Sequence, residues 1–114
     1  MGTVVHKAIV VTSWSNQMLI DAHTEALKIF PSVSDIVDSS VNKYVSFLVP
    51  PDGSKNGWVE SETGDMCRSD FIKYLESCRY DDGSTSLEWV EVSFSNDNRE
   101  AKVLSHTHKE TSYA

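Results

Sequence analysis

The sequence predicts an α+β domain of the ferredoxin-like βαββαβ kind, with one strand added at the C-terminal edge. Alternating apolar residues indicate extended segments, apolar residues at helical spacing indicate two helices, and turn-forming residues separate these segments. Right-handed crossovers would place both helices on one face of a mostly antiparallel sheet. We therefore expect the strand order fifth, fourth, first, third, second across the sheet.

The first half of the chain supplies three strands and a helix. In the second half of the segment Val4 to Thr12, both alternating sets of residues are apolar, which is typical of a central strand. A helix is expected from about Ser15 to Phe30, because either of two serines can cap its first amides and Pro31 stops it. Val33 to Ser39 predicts a weak edge strand, and Tyr44 to Val49 predicts a strong one.

The second half supplies a helix and a hairpin. The helix is expected to begin near Thr63 to Asp65 and to end before the turn at Tyr80 to Gly83. In 87–94, Val90, Val92 and Phe94 alternate with charged or small residues, as in a strand with one face in a core. A polar turn and an extended run up to Ser105 complete the hairpin.

Length, cysteine content and charge limit the class of protein. The 114 residues predict a single domain, 1–114, with 105–114 as a flexible tail. No apolar run approaches the roughly 20 residues of a membrane helix, so we expect a cytoplasmic protein with no membrane partner. Cys67 and Cys78 fall on one predicted helix, roughly 16 Å apart, which is too far for a disulfide. The net charge of −7 argues against direct binding of nucleic acid.

The predicted sheet has a second apolar face. One alternating set is expected to face the helices: Ile9, Val11, Val45, Phe47, Val49, Val90, Val92 and Phe94. The other set would then lie on the opposite face: Val4, His6, Ala8, Val10, Tyr44, Leu48, Leu87 and Trp89. That face is too apolar for water, so we expect a second subunit or another partner to cover it, most simply in a C2 homodimer with His6, Tyr44 and Trp89 at its interface.

Lys55, Trp58 and Arg68 form the most suggestive group of candidate binding residues. Two cations, an indole and the free amides at a helix start can together hold a phosphate-bearing, stackable ligand. The alternative is a packed loop with solvated charges, because ten basic residues can also group by chance. The sequence therefore predicts a ligand site at these three residues, on a long loop and the helix that follows it.

No catalytic residue, metal site or cofactor is predicted. The chain lacks the Gly-x-Ser-x-Gly, Ser-x-x-Lys, Gly-x-Gly-x-x-Gly and Walker patterns. His106 and His108 lie on one side of an extended segment, but two ligands are too few for a metal site. The enzyme alternative is a small dimeric hydrolase or isomerase that uses His6 or His23 as a base in a cleft.

Three phrases, His6 to Trp14, Phe47 to Trp58 and Leu87 to Val92, resemble sequences of small proteins of bacteria and their phages. The resemblance covers most of the chain and assigns no catalytic residue. It implies a setting in which small acidic proteins inhibit host defence proteins or act as sponges for nucleotide signals. The hypothesis is thus a non-catalytic, oligomeric binding protein that captures a small anionic ligand or blocks a host protein. A structural adaptor module is the further alternative.

Overall fold

The structure, a computed structural model, describes residues 4–55, 57–95 and 100–107. Its elements are β1 (His6–Ser13), α1 (Asn16–Ile29), β2 (Val37–Asp38), β3 (Val45–Val49), α2 (Val59–Ser77), β4 (Leu87–Ser95) and β5 (Glu100–His106). The strands form one five-stranded sheet in the order β2-β3-β1-β4-β5, with every neighbouring pair antiparallel. The predicted α+β class is confirmed, and the strand order is the one expected from the sequence.

Both helices lie on the same face of the sheet and share one core with it. The buried helix residues are Leu19, Ala22 and Ala26 of α1 and Phe71, Ile72 and Leu75 of α2. The buried sheet residues are Ile9, Val11, Val45, Phe47, Val49, Leu87 and Trp89. Removing this apolar surface from water stabilises the fold by roughly 25 cal/mol per Å².

Helix α1 begins and ends where its local sequence requires. The Ser15 hydroxyl accepts a hydrogen bond from the Met18 amide at 3.3 Å and so satisfies one of the free amides of the first turn. Pro31 disfavours helical backbone at the preceding residue, and Phe30 accordingly has extended dihedral angles. The predicted limits of the helix are thus its two cap residues.

Helix α2 begins one turn earlier than predicted, at Val59 instead of near Thr63, with Trp58 at the N-cap. The additional turn carries Glu60 and Glu62, whose negative charges stabilise the helix by interacting with the positive end of its dipole. Because these first residues are mostly exposed, they show no apolar stripe that would indicate a helix. Neither helix in the described part of the chain has the length and apolarity to cross a membrane.

In strand β4, the alternating set of residues that faces the helices is the opposite of the predicted set. Leu87 and Trp89 belong to the core, and Trp89 is only 4% exposed. The register explains this, because Val11 of the core is the Cα partner of Trp89. The expectation that Trp89 lies at an interface on the far side of the sheet is therefore wrong. Val90, Val92 and Phe94 lie on that far side instead.

Glu91 explains why the sequence pattern predicts the wrong facing for β4. Both alternating sets of β4 contain large apolar residues, and the alternation of Val90, Val92 and Phe94 with the charged Glu91 and the small Ser93 favours the wrong set as the core side. In the structure Glu91 points toward α2, where the guanidinium of Arg68 compensates its charge. We call the far side of the sheet the open face. By register its strand residues are His6, Ala8, Val10, Thr12, Val37, Ser46, Leu48, Glu88, Val90, Val92, Phe94, Ala101, Val103 and His106.

Residues 105–107, the first residues of the predicted flexible tail, either belong to the sheet or are hydrogen-bonded to it. Strand β5 extends to His106, and Thr107 is buried. The Thr107 hydroxyl accepts a hydrogen bond from the Trp89 amide at 2.6 Å and donates one to the Trp89 carbonyl at 3.1 Å. It thereby satisfies backbone groups at the end of the ladder. The rest of the predicted tail, 108–114, and most of the predicted hairpin turn, 96–98, lie outside the described residues.

Replacement of phenylalanine by alanine, once in the core and once on the open face, tests this arrangement. Phe71 is fully buried, so Phe71→Ala is expected to lower the free energy of unfolding by about 3–5 kcal/mol. Phe94 is 43% exposed on the open face, so Phe94→Ala is expected to cost less than about half as much. Urea unfolding at low protein concentration measures both values. Equal costs would contradict the facing of β4.

Candidate functional site

A cavity of about 580 Å³ lies where the chain leaves α1, where it leaves β3, and along the first turns of α2. Its apolar lining consists of Phe30, Pro31, Val49, Pro50, Pro51, Trp58, Val59 and Cys67. Its polar and charged lining consists of Ser32, Asp52, Ser54, Glu60, Thr63 and Arg68. A concave, largely apolar space with a few polar groups is the usual form of a small-molecule site.

The structure brings the three predicted ligand residues into one neighbourhood. Trp58 and Arg68 both line the cavity. The ammonium of Lys55 lies 5.9 Å from the centre of the Trp58 ring, which is a cation–π distance. The Lys55 backbone pairs with Val4 in an isolated bridge, so this part of the loop is held against the start of β1. That the three residues bind a ligand remains a prediction.

The guanidinium of Arg68 is buried among carboxylates, and the residue is only 7% exposed. Its Nη2 donates a hydrogen bond to Asp65, and its Nε lies 4.0 Å from Glu91 Oε2. That distance is too long for a hydrogen bond, and Nε has no partner within the described residues, so Glu91 contributes charge alone. The Ser105 hydroxyl donates to the other Glu91 oxygen at 3.0 Å and orients this carboxylate. Two carboxylates therefore compensate Arg68 without any ligand.

Asp52 is a third carboxylate close to the same guanidinium. The amide and hydroxyl of Ser54 donate to Asp52 Oδ1 at 2.9 and 2.6 Å. Burial raises the pKa of Asp52, but these hydrogen bonds and the charge of Arg68 outweigh it and hold the pKa below its usual value. Gly64 allows this approach, because a Cβ at that position would lie 2.6 Å from Asp52 Oδ2.

A second space, a groove of about 390 Å³, lies between α2 and strands β1, β4 and β5. In it the Lys7 ammonium donates to Asp65 Oδ1 at 2.9 Å and so links β1 to α2. Burial raises the pKa of Asp65, but hydrogen bonds from Lys7 and Arg68, together with their charges, outweigh it and lower the pKa. The charged lining residues balance: Lys7, Arg68 and Lys73 against Asp65, Glu76 and Glu91. The groove therefore presents no excess of either sign.

The candidate bases and nucleophiles are held in structural contacts. His23 Nε2 lies 2.8 Å from the Ser34 carbonyl oxygen, which can only accept. Nε2 thus carries the hydrogen and has no lone pair with which to abstract a proton. His6 packs on the open face against the Phe94 ring at a centroid distance of 5.1 Å. Burial raises the pKa of the Cys78 thiol, which disfavours the nucleophilic thiolate.

The remaining predicted residues lie apart from the cavity. Tyr44, a predicted interface residue, is half-buried directly before β3. His106 lies at the end of β5, and His108 falls outside the described residues. Where the chain is described, no three His, Cys, Asp or Glu side chains are grouped so that they could hold a metal ion.

The carboxylates that surround Arg68 are not among the site residues predicted from the sequence. The spacing of Asp65 and Arg68 on a helix, three residues apart, indicates a pair and could have been used. Asp52 followed by Ser54 is typical of a turn in which the carboxylate accepts local hydrogen bonds, but its proximity to α2 has no local signal. Glu91 gave no signal, because nothing in its surroundings along the chain distinguishes it from a surface residue.

Comparisons with protein-family models, with curated proteins and with solved structures find no match for this chain. The function therefore has to be inferred from the geometry and charge of the site itself.

Gly64→Ala is expected to cost stability in the wild type and much less once Asp52 is removed. In the wild type the added methyl group meets Asp52, which Ser54 holds in place, so we expect a loss of about 1–2 kcal/mol in the free energy of unfolding. In an Asp52→Ala background the nearest remaining group is Arg68 Nη1, at 3.2 Å from the added Cβ, and the helix propensity of alanine is expected to offset most of the loss. Urea unfolding of the four proteins measures this cycle. The same loss in both backgrounds would contradict the contact.

Asp65 is expected to make stability depend on pH. Because its folded pKa is lowered, its contribution is present above the unfolded pKa of about 3.9 and is lost as pH falls through the folded pKa. The side chain is 50% exposed, so the pH-dependent part is expected to stay below about 1 kcal/mol. The difference between wild type and Asp65→Asn in urea unfolding should shrink from about pH 6 to about pH 3. A difference that is independent of pH would contradict this role.

Proposed function

We propose that the protein is a non-catalytic binding protein that holds a small ligand in the cavity walled by Trp58 and Arg68. The observation that supports this function is a cavity of about 580 Å³ whose mainly apolar lining includes the indole of Trp58 and the buried guanidinium of Arg68. A space of that volume suits an organic molecule of ordinary metabolite size. The indole supplies a stacking surface, and the guanidinium supplies directed hydrogen-bond donors.

The charges around the cavity favour a ligand with at most one negative charge. Asp65 and Glu91 already compensate Arg68, Asp52 and Glu60 themselves line the cavity, and the Lys55 ammonium beside Trp58 adds one positive charge nearby. Two like charges about 5 Å apart repel by about 3 kcal/mol at an effective dielectric constant near 20, so several phosphates would meet a large penalty here. The anionic, nucleotide-like ligand expected from the sequence is thereby narrowed to a nucleoside-like compound or an aromatic acid with one charge.

Two finer assignments belong to the same proposal. The order β2-β3-β1-β4-β5, with all neighbours antiparallel and both helices on one face, supports a ferredoxin-like arrangement in which β5 is the added edge strand. For the use of the protein we propose sequestration, as the resemblance to small bacterial and phage proteins leads us to expect. A binder present in excess of a signalling molecule lowers its free concentration without any reaction.

Binding of 8-anilinonaphthalene-1-sulfonate, an aromatic ion with one negative charge, tests the cavity directly. We expect saturable binding that Trp58→Ala weakens by at least about tenfold through loss of stacking. Trp14→Ala is the matched control, because Trp14 is 59% and Trp58 49% exposed but only Trp58 lines the cavity. We expect the control to change the dissociation constant by less than about twofold. Equal effects of the two substitutions would contradict a site at Trp58.

A series of ligands with one ring system and increasing charge tests the ligand class. Isothermal titration with adenosine, AMP and ATP is expected to show affinity that falls as phosphates are added. If ATP bound more tightly than adenosine, the inferred charge preference would be wrong. If neither the fluorescent probe nor any member of the series bound saturably, the ligand-binding function itself would be rejected.

A further inference from the structure

The open face is apolar at its centre although it lies on the outside of the molecule. Two rows of Cα partners cross it, Leu48–Val10–Val90 and Ala8–Val92–Val103. Val10, on the central strand, remains 38% exposed, and Leu48, Phe94 and Val103 are more exposed still. A continuous apolar surface of this kind usually marks a site of association.

The distribution of charge indicates which partner fits this face. The chain has seventeen acidic and ten basic residues, yet Glu88, near one end of β4, is the open face's one carboxylate among the described residues. A basic partner would find no acidic group at the centre of the face. Two copies of this chain, by contrast, can meet there without bringing their carboxylates together. The open face thus fits another apolar surface that has no charge at its centre, and a second copy supplies such a surface.

The size of the face matches a small homodimer interface. Strands about 4.8 Å apart with about 3.3 Å per residue give the five-stranded sheet an open face of roughly 500 Å², so two copies would bury about 1,000 Å². That area lies at the lower limit for a specific interface. We propose that the open faces of two copies stack in a C2 homodimer, with the two sheets about 10 Å apart and the helices outside.

This homodimer is independent of the proposed ligand function, because the cavity lies on the helix side of the sheet. Analytical ultracentrifugation from about 1 to about 500 µM is expected to show a reversible monomer–dimer equilibrium with a dissociation constant above about 1 µM. Val10→Glu places a charge at the centre of the face and is expected to weaken association by at least about tenfold, because like charges then face each other. Leu27→Glu, at an exposed position of α1, is the matched control and is expected to leave the equilibrium unchanged.

Circular dichroism and urea unfolding of each variant show that the compared proteins are folded. If Val10→Glu does not fold, Phe94→Gln replaces it, because that side chain is already 43% exposed. A wild type that stays monomeric throughout the range overturns the homodimer. So does a dimer that survives the substitution on the open face, or one that Leu27→Glu disrupts equally, because the contact would then lie elsewhere.

Discussion

The charge of Arg68 must be compensated inside the protein, and this requirement fixes how α2 meets the sheet. Removal of one partner from a buried ion pair typically costs about 3–5 kcal/mol, so the guanidinium and its carboxylates have to be positioned together. Glu91 of β4 supplies one of these carboxylates and must therefore face α2. Because side chains alternate along a strand, Trp89 and Leu87 lie on the helix side of the sheet as well, and both belong to the core.

The same constraint shapes both surfaces on which function is proposed. With Glu91, Trp89 and Leu87 turned inward, the other apolar set of β4 is left on the open face. On the helix side, Asp52 approaches Arg68 across Gly64 and so holds the loop after β3 against α2. The cavity lies between this loop, the end of α1 and the first turns of α2. The buried guanidinium of Arg68 thus accounts for the facing of β4 and contributes to the shape of the cavity.

The sequence predicted those features that depend on neighbours along the chain. The limits of α1 followed from Ser15 and Pro31, because capping and proline sterics act within a few residues. The strand order followed from short connections and crossover handedness. The facing of β4 could not be predicted, since it depends on a charge 23 positions away, at Arg68. For the candidate site, Trp58 and Arg68 were identified, whereas two of its carboxylates come from distant segments that no local pattern connects to α2.

A compensated guanidinium selects ligands differently from a free one. Its net Coulomb attraction for an anion is already offset by Asp65 and Glu91, while its donors keep their fixed directions. Discrimination at the cavity therefore depends on shape, stacking on Trp58 and hydrogen-bond geometry, and less on total charge. Stacking two open faces would leave each cavity on the outer, helix-covered side of its own sheet. A homodimer would then present two separate binding sites to the solvent, and occupation of one would not require the dimer to open.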